Sequence, residues 1–121
     1  NSSVRPNMFT TIKNLATLMA GNKPLYIPME IQSTATLVKS YGFSMPDGNR
    51  VLAIWNDGVA IDSDAGIPST IIISDLAGWT ATGIDVLHGY EQQLITRSEN
   101  GDLVIENFLI KDYPIIIRLS Q

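Results

Sequence analysis

The sequence predicts an all-β protein, a two-sheet antiparallel β-sandwich of about eight strands preceded by one N-terminal amphipathic helix. Three observations predict it. A helical period occurs once, near the start, and does not return at comparable length. Short runs rich in Val, Ile, Thr and aromatic residues fill the remainder. Tight-turn chemistry divides those runs at Pro46-Asp47-Gly48, Asn56-Asp57-Gly58 and Asn100-Gly101.

The helix is expected over residues 8–20. Met8, Phe9, Ile12, Leu15, Ala16 and Met19 recur at the i, i+3, i+4, i+7 spacings that make one apolar stripe. Asn7 is positioned as an N-cap, Gly21 as the positive-φ residue that closes a helix, and Pro24 as a block to continuation. Strands are expected over residues 25–32, 35–44, 50–56, 70–74, 83–87, 91–98, 103–110 and 114–120. Residues 57–68, rich in Asp, Gly, Ser and Ala, read as a longer surface loop. Asn100-Gly101 is the strongest hairpin signal and predicts antiparallel pairing of 93–96 with 103–105.

The strands differ in how their faces should be covered. Ala35, Leu37, Tyr41 and Phe43 share a parity, interrupted by Lys39, as in a strand with one buried and one wet face. Val51-Leu52-Ala53-Ile54-Trp55, Ile71-Ile72-Ile73 and Ile115-Ile116-Ile117 are apolar on both faces. A sandwich has one inner core, so the second face of these runs needs the helix, the chain's own loops or a further body. Trp55 and Phe108, lying in apolar strands, are expected in the core. Residues 1–23 therefore read as a helical segment and 24–121 as the sandwich, with weak self-association of the isolated chain expected through apolar surface left uncovered.

Composition bounds the chemistry. The 121 residues carry 45% hydrophobic and 17% charged side chains, a globular balance and not a disordered one. With a net charge of −4 and the Lys and Arg scattered from Arg5 to Arg118, no basic face exists to neutralise phosphates, so nucleic acid is not an expected partner. No apolar run of about 18 residues is present to cross a bilayer as a helix. Cysteine is absent, which removes disulfides, thiolate nucleophiles and zinc-thiolate sites and leaves the compartment open, with an extracellular one favoured by a small margin.

No catalytic constellation emerges. His88 is the sole histidine and falls in a turn, no serine sits in a Gly-x-Ser-x-Gly elbow, and no Gly-rich phosphate loop is present. Asp47, Asp57, Asp62, Asp64, Asp102 and Asp112 fall in expected loops, where Asp is favoured for local backbone hydrogen bonding. Asp57, Asp62 and Asp64 could gather round Ca²⁺, but the calcium-loop spacing is missing, so no metal and no cofactor is assigned. For carbohydrate the candidates are Trp79, in the loop-like Leu76-Ala77-Gly78-Trp79-Thr80, and Tyr90, because exposed rings stack on the apolar faces of pyranoses.

Read in order, Met8-Phe9-Thr10-Thr11-Ile12-Lys13-Asn14-Leu15 resembles the last barrel helix of clan A type glycoside hydrolases. Arg50-Val51-Leu52-Ala53-Ile54-Trp55 is similar to a strand of the β-sandwich that follows the barrel in many of them. Gly83-Ile84-Asp85-Val86-Leu87-His88-Gly89 and the closing Asp112-Tyr113-Pro114-Ile115-Ile116-Ile117 resemble further segments of such sandwiches. The resemblance implies that the chain is the C-terminal accessory domain of a longer glycoside hydrolase, with residues 1–23 a remnant of the barrel. It implies catalytic glutamates on barrel strands upstream, so no residue here inherits their role and the chain is not an enzyme by itself. Its expected partner is the preceding catalytic barrel of the same polypeptide, which the sandwich supports. The alternatives are a carbohydrate-binding module and an Ig-like adhesion or interaction domain.

Overall fold

The computed structural model describes residues 22–35, 37–57, 66–85 and 90–121. They form a two-sheet, all-antiparallel β-sandwich. Its strands are β1 (Lys23–Pro24), β2 (Met29–Gln32), β3 (Val38–Ser44), β4 (Arg50–Asn56), β5 (Ile67–Ile73), β6 (Thr80–Asp85), β7 (Tyr90–Gln93), β8 (Thr96–Glu99), β9 (Asp102–Ile110) and β10 (Ile115–Ser120). One sheet has six strands in the order β1-β3-β4-β10-β6-β7, and the other has four in the order β2-β5-β9-β8. The helix expected over 8–20 lies outside the described residues.

Only the β3–β4, β6–β7 and β8–β9 connections stay within a sheet. The rest step from one sheet to the other, so most hydrophobic pairing is between segments distant in sequence. The β8–β9 hairpin closes through Asn100 and Gly101, with φ of 53° and 83° and Glu99 opposite Asp102. Two successive positive φ values define the turn whose twist matches the flanking strands, which explains the Asn-Gly pair.

Between the sheets lies one core. Leu52 and Ile54 of β4, Ile71 and Ile73 of β5, Leu103 and Ile105 of β9, and Ile117 and Leu119 of β10 are all at most 1% exposed. Each of these strands contributes alternate residues, as the pleat requires. In β9 the alternation changes phase, since Leu103 and Ile105 point inward and so do Phe108 and Ile110. The β5–β9 register accounts for it: Ile71 pairs with Ile105 but Ser69 pairs with Phe108. One extra residue is thus held in β9, and Asn107, at φ 56°, marks the bulge. Without it the second half of β9 would turn its polar side to the core.

Several boundaries differ from those expected. Of the strand expected over 25–32 only Met29–Gln32 forms, as β2; residues 25–28 carry the chain from β1 in one sheet to β2 in the other, and Pro28 there has no N–H to donate to a ladder. The strand expected over 91–98 breaks at Leu94-Ile95, where the chain passes from β7 in one sheet to β8 in the other. Only 96–99 therefore joins the hairpin, not 93–95. β3 begins at Val38, and Leu37, expected to share a buried face with Phe43, is 51% exposed. β5 begins at Ile67, inside the segment expected to be loop, and its Pro68 falls where β2 no longer runs alongside. β6 begins at Thr80, three residues before the expected Gly83.

Candidate functional site

Three places in the fold combine chemistry with position: the outer face of the six-stranded sheet, the end of the sandwich that carries Trp79, and a cleft between the sheets.

The outer face holds a second apolar cluster. Leu52 and Ile54 point into the sandwich, so Val51, Ala53 and Trp55 point away from it. Tyr41 pairs with Ala53, Phe43 with Val51, and Ile116 with Ala53, which brings these side chains onto the same outer face. Phe43, Ala53 and Trp55 are buried there, with Tyr41, Val51 and Ile116 half-buried around them. The rings of Tyr41 and Phe43 stand 4.7 Å apart between centroids, tilted by 32°. Trp55 is core as expected, but it belongs to this outer cluster and not to the space between the sheets. Its indole Nε1 and the Oδ1 of Asn56 are buried with no hydrogen-bond partner among the described residues. An unmet buried polar group costs about 1–3 kcal/mol.

Trp79 ends the β5–β6 turn. Leu76 O accepts from its N–H, Gly101 O accepts from Ala77 N, and Ser98 Oγ accepts from Gly78 N at 2.8 Å. The turn is therefore tied to the β8–β9 hairpin beside it. Trp79 is half-buried against the inter-sheet core, and the Arg50 guanidinium carbon lies 5.3 Å from its ring centroid. One ring face thus already holds a cation. Tyr90 opens β7 opposite Asp85, at the far end of β6. Six residues of extended chain separate Trp79 from that position, about 20 Å at the usual rise per residue. The two candidate sugar-stacking residues stand at opposite ends of the hairpin, and the fold does not bring them together.

The cleft opens where β8 stops. β8 accompanies β9 only from Asp102 to Ile105, so the second half of β9 has no neighbouring strand on that side among the described residues, while β7 still borders the facing sheet. Gly83, Asp85 and Gln92 contribute from β6 and β7, Asn107 and Phe108 from the bulged part of β9, and Lys111 from the segment that leads to β10. The cavity has a volume of about 200 Å³. Asp85 points inward at 6% exposure, and the Tyr113 hydroxyl donates to its Oδ2 at 3.0 Å. That bond holds the β9–β10 connection against β6. Nothing in the spacing of Asp85, Gln92 and Asn107 announces this grouping, because the sheet crossing at Leu94-Ile95 and the bulge at Asn107 create it.

Among the described residues no group of three or more His, Asp or Glu side chains could hold a metal ion. His88, Asp62 and Asp64 lie outside the described residues. No described helix is long and apolar enough to cross a membrane. Neither a protein-family model nor a curated protein matches the chain.

Proposed function

We propose that this chain is a non-catalytic accessory β-sandwich of a glycoside hydrolase, which packs against and supports a catalytic barrel in the same polypeptide. The observation that carries the reading is the two-sided six-stranded sheet. A sheet exposed to water on its outer side alternates apolar and polar residues, whereas β4 runs Leu52-Ala53-Ile54-Trp55 with all four side chains buried. That is the pattern of a middle layer. The half-buried Tyr41, Val51 and Ile116 are the rim that a neighbouring domain would finish covering. The resemblance of 50–55 and 112–117 to post-barrel sandwiches supplies the identity of the neighbour.

The test is to read the coding sequence that precedes residue 1 and to express its product with and without residues 24–121. A barrel of roughly 250–300 residues upstream is expected. Deleting the sandwich should lower that barrel's melting temperature and its turnover of aryl glycosides. A gene without an upstream barrel, or a barrel indifferent to the deletion, would sink the proposal.

A further inference from the structure

We infer that the cleft between the sheets binds a single neutral sugar ring, held by Asp85, Gln92 and Asn107. This rests on the cleft alone and goes beyond a supporting role.

Three features converge at the cleft. An inward-facing carboxylate at 6% exposure is expensive in a sandwich whose other inward positions are almost all apolar, and Tyr113 is committed to orienting it. The wall opposite contains the one bulge of β9, and its Asn107 adopts the left-handed conformation at φ 56°. Bulges re-aim side chains, and backbone in sparsely populated regions concentrates at binding sites. Between the walls β6 has Gly83, where a Cβ would come within 3.2 Å of Leu94 Cδ2 and so narrow the space.

The ligand class follows from the lining. The lining carries both signs of charge, Asp85 and Lys111, so it presents no field of one sign to select an anion or a cation. The carboxamides of Gln92 and Asn107 each donate and accept hydrogen bonds, as hydroxyl groups do, and a carboxylate accepts from hydroxyls. Leu94, Phe108 and Ile115 supply apolar surface for the C–H face of a ring. About 200 Å³ lies below the range of drug-sized pockets, so one ring fits and an oligosaccharide does not.

The experiment is a titration of the ¹⁵N-labelled 121-residue chain with glucose, galactose, mannose and xylose, with glucosamine and glucuronate as charged controls. Saturable shifts of the Gly83, Gln92 and Asn107 amides are expected with at least one neutral sugar, exceeding those with either charged control. Gln92→Ala should weaken that binding roughly fivefold to tenfold, the loss of one hydrogen bond. Asn107→Gly should weaken it similarly, since glycine keeps the positive φ while removing the carboxamide. Both positions are exposed, so a dispersed spectrum will show that the variants fold. Absence of saturable shifts with every neutral sugar would overturn the inference, as would shifts confined to the Trp79 end, preference for a charged control, or unchanged binding in both variants. None of these outcomes depends on an upstream barrel, so the accessory role and the sugar site can fail separately.

Discussion

β4 and β8 are strands of one sandwich built to opposite rules. In β4 the four residues from Leu52 to Trp55 are all buried, whereas in β8 three of four residues are exposed and only Thr96 is partly covered. β4 has a hydrogen-bonded neighbour on each side, β3 and β10, and an apolar cluster on each face. β8 has β9 on one side and no described strand on the other. Its exposed face carries Arg97 between Glu99 and Glu106, both ion-paired with it. Charge on a short edge strand hinders pairing with a second chain, so polarity there serves solubility as burial in β4 serves stability. The difference teaches that hydrophobicity along this chain reports the number of covered faces, not merely the presence of a strand.

Substitutions can break or sharpen this contrast. The largest effect is expected at Ile54, fully buried in β4. Ile54→Ala should lower the unfolding free energy by about 2–5 kcal/mol, measured by urea denaturation, because it removes transfer energy and leaves a cavity. A loss below about 1 kcal/mol would mean that the centre is no more tightly packed than the edge.

Gly42 of β3 tests how closely the chain before β2 crosses the sheet. An added Cβ would meet the Leu25 carbonyl oxygen at 2.6 Å and Ile27 Cδ1 at 2.8 Å. Since Leu25 N also donates to Gly42 O, the backbone cannot withdraw without losing that bond. Gly42→Ala is expected to cost about 1–3 kcal/mol by the same measurement, the range for overpacking. A neutral result would show that this crossing is loose.

At the tip of the β8–β9 hairpin the expected loss is smaller. Gly101→Ala puts a Cβ into open space but at φ 83°, so only the backbone conformation is penalised, by about 1–2 kcal/mol. If the change stabilises the protein instead, the turn has adopted another type. The smallest effect is expected for Arg97→Ala, which removes two ion pairs whose side chains are about half exposed. Its cost should be about 0.5 kcal/mol or less and should shrink further in high salt. A loss as large as that at Ile54 would dissolve the distinction between centre and edge.

The same contrast explains what could be read before the structure. The Asn100-Gly101 turn, the strand at Arg50–Asn56 and the core positions of Trp55 and Phe108 were legible because local chemistry and burial agree there. The single strand expected over 91–98 misses the sheet crossing at Leu94-Ile95, where neither Gly nor Pro marks a break. The cleft was illegible for the same reason. Trp79 looked like a free ring because nothing local predicts that Arg50, 29 positions earlier in the chain, stacks on it.

By itself the sequence determined the all-β class, the hairpin at Asn100-Gly101 and the doubly apolar central strands, because turn geometry and strand burial are written in residues close together. The tertiary structure alone decided which sheet each strand joins, which face receives Trp55 and which polar side chains meet at the cleft. Those outcomes depend on pairing between distant segments and on the one-residue bulge at Asn107, and a period of two in the sequence cannot say which of two faces will be the inside.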